Sequence, residues 1–202
     1  MSNLVIVDYE VGNISSLTNA LLKLKIDHIV TDKIKKIEAA NIIILPGVGS
    51  FDKAMSMIKK KNILRSLEKC KNQNKKIIGI CVGMQILATL GYENKITKGL
   101  NFIEGNVKKI NKSKNYRLPI MNWYEVKSNK KDDLKINNKI FYFLHSYSFN
   151  CKNKADLFYY CNSHNTKIPA VINKGNVYGI QFHPEKSGKN GLSLLQKIIT
   201  GS

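Results

Sequence analysis

The stretch Lys75-Lys76-Ile77-Ile78-Gly79-Ile80-Cys81-Val82-Gly83-Met84-Gln85 constrains the fold more than any other part of the chain. Apolar residues of strand character run into Gly-x-Cys-x-Gly, and a helical pattern begins at once. So sharp a strand-to-helix turn is the cysteine version of a nucleophile elbow. The glycines two positions either side of Cys81 remove side chains that would collide in it. Cys81 then sits at a helix N-terminus, where unpaired N–H groups and the helix dipole favour thiolate. The backbone N–H of Val82 would point toward a developing oxyanion. A buried cysteine in a glycine-rich turn produces the same local text, so the motif alone leaves both readings open.

The remainder of the chain repeats the alternation, which predicts an α/β domain. Leu4–Asp8 reads as a buried strand ending in the polar loop Tyr9–Asn13. A helix follows, with Leu17, Leu21 and Leu24 on one face. Ile42–Leu45 is a second strand, broken by Pro46-Gly47-Val48-Gly49. Phe51–Cys70 is helical in Met55, Ile58, Leu64 and Leu67, with an interruption near Lys61-Asn62. Ile77–Ile80 is a third strand, and Gly83–Leu90 begins a helix that Gly91 ends in a left-handed cap. Beyond Gly91, strands are predicted over Val107–Ile110, Trp123–Val126, Ile140–Leu144, Leu157–Asn162, Ala170–Ile172 and Val177–Phe182. Lys127–Lys139 reads as a polar, mobile loop, and Leu192–Ile199 as the closing helix. No repeat or low-complexity linker divides the text, so residues 1–202 are expected to form a single domain.

Composition narrows the function classes. The formal charge of +19 raises a nucleic-acid or anionic-membrane reading. All but Arg65 and Arg117 of the 33 basic residues are lysine, however, and they are scattered through Lys/Asn/Ile text. Bidentate grip on phosphates or guanines calls for arginine. A solvated basic surface with no specific nucleic-acid partner is the expectation. The apolar runs fall far short of the ~20 residues that span a bilayer. Asp8 interrupts the N-terminal apolar run and no basic segment precedes it, unlike a signal peptide. A cytoplasmic protein with reduced thiols follows. Cys70, Cys81, Cys151 and Cys161 show no zinc-ligand spacing, so neither metal nor cofactor is expected.

A thiolate nucleophile needs a base, and four histidines are available. His28 and His164 lie in polar surface text. His145, after Ile140–Leu144, reads as a core or site-wall histidine and stays outside the catalytic set. His183 ends the strand Val177–Phe182, at the strand terminus where α/β sheets gather catalytic groups. Glu185, two residues on, can fix the imidazole tautomer and stabilise its cation. Alone, this pair is more often structural; with the Cys81 elbow it completes a nucleophile, base and orienter.

These residues, taken with others, resemble the class I glutamine amidotransferases. The resemblance is carried by Asp8-Tyr9 with Gly12-Asn13, Leu45-Pro46-Gly47-Val48-Gly49-Ser50-Phe51, Gly79–Gln85, Phe143-Leu144-His145-Ser146-Tyr147, and Gly179-Ile180-Gln181-Phe182-His183-Pro184-Glu185-Lys186-Ser187. They occur in the family's order over almost the whole chain. The resemblance implies a flavodoxin-like three-layer domain with a mixed central sheet. It also implies a glutaminase in which Cys81 attacks the glutamine side-chain amide, His183 moves protons and Glu185 orients His183. Val48 or Gly49 would join Val82 in an oxyanion hole, and Gly47, Gln85, Ser146 and Tyr147 would line the glutamine pocket.

By the same resemblance, ammonia passes to a separate (β/α)8-barrel synthase docked over the site, with Tyr9, Asn13 and Trp123 at the interface. A barrel needs ~250 residues, so it must be another chain. Two departures touch this docking text. Glu10 follows Asp8-Tyr9 where glycine is usual. Pro119-Ile120-Met121-Asn122-Trp123-Tyr124 keeps only Pro119 and Trp123 of the usual Pro-His-x-Gly-Trp-Asn. The acceptor is then the histidine-pathway synthase that makes imidazole glycerol phosphate, or another synthase, such as one amidating a surface-polysaccharide or nucleotide-linked sugar. A catalytically silent binding module would be expected to have lost one of Cys81, His183 or Glu185, and none is lost.

Overall fold

The computed structural model describes residues 4–111, 118–163 and 166–201. His164 lies outside them. In chain order the elements are β1 (Leu4–Val7), α1 (Ile14–Lys23), β2 (Ile29–Thr31), α2 (Ile34–Ala39), β3 (Ile42–Leu45), α3 (Phe51–Lys60), α4 (Leu64–Asn72), β4 (Lys76–Ile80), α5 (Val82–Gln85), β5 (Leu90–Gly91), β6 (Thr97–Lys98), β7 (Gly105–Lys109), β8 (Ile120–Ser128), β9 (Lys139–His145), β10 (Tyr147–Cys151), β11 (Leu157–Ser163), β12 (Thr166–Lys174), β13 (Val177–Ile180) and α6 (Gly188–Thr200).

Among the described residues, nine strands form one mixed sheet in the order β2-β1-β3-β4-β13-β12-β11-β8-β9. From β2 to β13 neighbouring strands are parallel, and from β13 to β9 they are antiparallel. The parallel half has the flavodoxin-like strand order. Right-handed crossovers to opposite sides of β1 send α1 to one face and α2 to the other, giving three layers. β10, β7, β5 and β6 form a second, small sheet. The core strands are aliphatic because both faces are covered: Val5, Ile6, Ile43, Ile44, Ile77 and Ile78 are all buried. The interruption near Lys61-Asn62 is real, and Asn62 takes φ +58 between α3 and α4.

Several expectations are corrected. The helix predicted from Gly83 to a cap at Gly91 is only four residues long. The carbonyls of Ile86, Leu87 and Ala88 accept instead from the N–H groups of Leu100, Phe102 and Asn101. Gly91 lies in β5 without positive φ. Its lack of a side chain serves packing, since a Cβ there would come within 2.5 Å of the Phe51 ring. Phe182 lies beyond the end of β13, although the predicted strand includes it, and Trp123–Val126 is the middle of a nine-residue strand. The polar stretch 129–138 is a loop, but a pinned one: Asp132 accepts from Tyr159 Oη at 2.8 Å and from the Ile136 N–H at 2.9 Å, and Ile136 is buried. Among the described residues no helix is long and apolar enough to cross a membrane.

Candidate active site

Cys81 sits at the end of β4 with φ +55 and ψ −111, backbone geometry that a non-glycine residue adopts only under strain. Both flanking glycines are required by contact. A Cβ on Gly83 would stand 1.8 Å from the Leu45 carbonyl oxygen, and one on Gly79 would stand 2.3 Å from the Gly83 carbonyl oxygen. The elbow is therefore wedged against the end of β3, and Cys81 is buried.

His183 follows the neighbouring strand β13, so the parallel pairing of β4 with β13 brings residues a hundred positions apart to one sheet end. Its Nδ1 meets Glu185 Oε1 at 2.9 Å. The His183 and Glu185 side chains are only 2% and 4% exposed. Among the described residues no hydrogen bond of standard geometry reaches the His183 Nε2, the nitrogen left for Cys81 and substrate. Burial works against charge on this imidazole, but Cys81 and Glu185 on either side outweigh it and push its pKa up to about 10. The ring is thereby disposed to be an imidazolium beside the sulfur.

A cavity of about 260 Å³ opens onto Cys81 and His183. Val48, Gly49, Val82 and Gln85 line one side, and Leu144, His145, Ser146 and Tyr147 another. Gln85 Nε2 donates to the Tyr147 carbonyl at 3.0 Å, tying the elbow helix to the pocket wall. Gly47, expected in the pocket, packs against the elbow, where a Cβ would come within 2.6 Å of the Gly83 nitrogen. The expected oxyanion donors are not free together. The Val82 N–H donates to the Gly47 carbonyl at 3.4 Å. Gly49 adopts φ +99, a conformation open chiefly to glycine.

Four residues lining the cavity, Glu93, Pro119, Leu144 and His145, are not singled out as site residues on sequence grounds. Glu93 reaches the pocket from the chain between β5 and β6 and accepts from the Phe51 N–H at 2.8 Å. Burial raises its pKa, against the opposing effect of that hydrogen bond. No local signal marks it. His145 is buried, with Nδ1 2.8 Å from the Tyr147 carbonyl oxygen, and burial lowers its pKa to about 4. It is a neutral site wall, combining both roles its strand-end position suggests.

Among the interface candidates, Trp123 is 51% exposed on β8 and packs against Tyr142 with ring centroids 5.7 Å apart. Met121 and Ile140 are exposed on the same pair of strands. Asn13 caps α1, accepting from the Ser16 N–H at 3.4 Å. Tyr9 corrects the expectation: it is fully buried and its hydroxyl donates to the Pro46 carbonyl. Its side chain braces the Pro46–Gly49 loop from within and presents nothing to a partner. Among the described residues, no group of three or more His, Cys, Asp or Glu side chains is placed to hold a metal ion.

Residues 5–200 match the sequence profile of the family described as glutamine amidotransferase class-I. The imidazole glycerol phosphate synthase subunit HisH of Bacillus cytotoxicus is 36% identical over 197 residues, covering 95% of this chain and 91% of that one. Subunit HisH 2 of Methanococcus maripaludis is 38% identical over 200 residues, covering 97% and 98%. The solved structure of PurLQS from Thermotoga maritima superposes with a TM-score of 0.74 at 20% identity, covering 98% of this chain and 97% of that one, a likeness of fold.

Proposed function

The chain belongs to the glutamine amidotransferase class-I family, and from that premise we propose that it is the HisH-like glutaminase subunit of an imidazole glycerol phosphate synthase. The observation that carries the chemistry is the buried His183–Glu185 pair, 2.9 Å apart, with His183 beside Cys81 in the lining of the 260 Å³ cavity. Cys81 Sγ attacks the glutamine amide carbon, and His183, as imidazolium, gives its proton to the leaving ammonia. The thioester is then opened by a water that His183 deprotonates, releasing glutamate. Glu185 keeps Nε2 aimed at the reacting atoms. Gln85 and the Ser146-Tyr147 backbone frame the substrate, and Glu93 offers a carboxylate for its α-ammonium group.

The Gly47 carbonyl must turn away before the Val82 N–H can serve an oxyanion, with Val48 or Gly49 supplying the second donor. Two such donors lower the barrier by several kcal/mol. We assign the turning of that peptide to docking of the partner, a (β/α)8-barrel cyclase that receives the ammonia. The face bearing Trp123, Met121 and Ile140 meets it, with Asn13 at the rim. The whole chain, 1–202, acts as one glutaminase domain in the cytoplasm, with no cofactor of its own.

The test is glutamate release from glutamine by this chain mixed with the histidine-pathway barrel of the same organism and that barrel's nucleotide ligand. Activity is expected to need both the loaded barrel and Cys81, and Cys81→Ala is expected to abolish it while leaving docking intact. Turnover by Cys81→Ala above a tenth of wild type would remove Cys81 from its role. A folded chain that the loaded barrel does not stimulate would refute this acceptor and point to a different synthase.

A further inference from the structure

Two buried amides stand between the pocket wall and the sulfur. Gln181 immediately follows β13, is fully buried, and is held through its N–H to the Ala170 carbonyl at 2.9 Å. Its Oε1 accepts from Gln85 Nε2 at 3.2 Å, and its Nε2 lies 3.9 Å from Cys81 Sγ. The orientation is forced. Gln85 spends one N–H on the Tyr147 carbonyl and presents the other to Gln181, so the carbonyl end of Gln181 must face Gln85 and the NH2 end must face the sulfur. On its other side, Sγ approaches the Leu144 carbonyl at 3.8 Å, which can accept from a thiol but repels a thiolate.

An amide buried this deeply is costly unless its hydrogen bonds are made, and a methionine would fill the same space without that cost. The arrangement makes sense if the amide meets a charge that forms there. We propose that Gln181 is a further catalytic residue of the glutaminase, its Nε2–H donating to the Cys81 thiolate while Gln85 locks the amide in the donating orientation. The proposal rests on Cys81 being the nucleophile. It gives the sulfur a neutral donor that is present before the substrate arrives and that does not depend on the protonation of His183.

Among the described residues, the titratable groups around Sγ are His183 with Glu185 behind it, His145 on β9, Tyr9 after β1, and Tyr147 and Glu93 in the same cavity. Burial keeps His145 and Tyr9 neutral near neutral pH. The other thiols interfere little. Burial raises the pKa of Cys70 and pushes those of Cys151 and Cys161 up to about 12.

The experiment is the pH dependence of alkylation by iodoacetamide, in which the thiolate displaces iodide, with peptide mapping of the product. It uses the full chain and needs neither glutamine nor a partner. Gln181→Met, which keeps length and loses the donor, is expected to move the Cys81 midpoint up by about one pH unit. Below the midpoint, alkylation slows about tenfold, the worth of one hydrogen bond to a charged group. An unchanged midpoint in a folded Gln181→Met protein overturns the proposal. Should that variant not fold, Gln85→Met leaves Gln181 in place but frees its amide to turn. A midpoint raised by a smaller amount supports the proposal, and an unchanged one overturns it. If the fast alkylation survives Cys81→Ala, Cys81 is not the reactive thiol and the underlying reading fails as well.

Discussion

Adding one methyl group at Gly83 separates the stability of the fold from the geometry of the elbow. Nothing in the backbone at Gly83 forbids alanine, because its φ is not positive. On helix propensity alone, Gly83→Ala would gain about 1 kcal/mol. The new Cβ, however, would stand 1.8 Å from the Leu45 carbonyl oxygen and 2.8 Å from its carbon. Ordinary contact begins near 3.4 Å, so β3 and the start of α5 must part by more than an ångström. Overpacking of this kind costs about 1–3 kcal/mol, leaving a net loss of about 1 kcal/mol once the propensity gain is counted. Activity is far more sensitive, since a displacement of about 1 Å in a reacting group costs on the order of 100-fold.

The control is Gly175→Ala in the turn between β12 and β13. There φ is +60 and no atom lies within 4 Å of the added Cβ. Its cost, of similar size at about 1 kcal/mol, is purely conformational and remote from Cys81. Urea unfolding should place the two variants close together, while glutaminase turnover with the loaded partner falls about 100-fold in Gly83→Ala and stays near wild type in Gly175→Ala. A stable Gly83→Ala protein with turnover within threefold of wild type would refute the argument that the glycines fix the nucleophile.

Two further predictions concern pH. His145 has its pKa lowered by burial to about 4 from an ordinary value of 6.5, so the unfolded chain binds the extra proton first. Stability is then lost as pH falls from 6.5 through 4, by about 3 kcal/mol in all. Urea midpoints at pH 7 and pH 4.5 should therefore differ more for wild type than for His145→Asn, and equal differences would contradict this. His183 is shifted the other way, up to about 10, so its imidazolium contributes stability that is complete below pH 6.5 and is lost as pH rises through about 10. Turnover should decline along the same alkaline limb, and Glu185→Gln should move that limb to lower pH in a pH–rate profile.

Most of the catalytic elbow was legible in the text. A short apolar run, two glycines spaced around a cysteine and an immediate helical pattern leave few folds in which all three can be satisfied, and Gly79 and Gly83 prove indispensable by contact. His183 and Glu185 were legible because they are close in sequence and lie at a strand end. The buried aliphatic strands β1, β3 and β4 announced themselves by composition. The short edge elements did not. β2, β5, β6 and α2 span only two to six residues, too few to establish a period.

Where the sequence misled, local pattern competed with distant partners. Gly83–Leu90 has the apolar character of a helix, yet the carbonyls after Gln85 bond to residues 100–102, and no local rule could anticipate acceptors claimed from so far along the chain. Tyr9 belongs to loop text that the resemblance placed at a partner surface, and the fold turned its ring inward onto Pro46. The sequence alone determined which residues could do the chemistry, because reactivity and turn geometry are properties of residue types a few positions apart. Only the tertiary structure decided that Glu93 joins the pocket, that Gln181 meets the sulfur, and that the Gly47 carbonyl occupies the Val82 donor. Those relations depend on which strand ends the sheet brings side by side, and hydrogen bonds between them are chosen by distance in space.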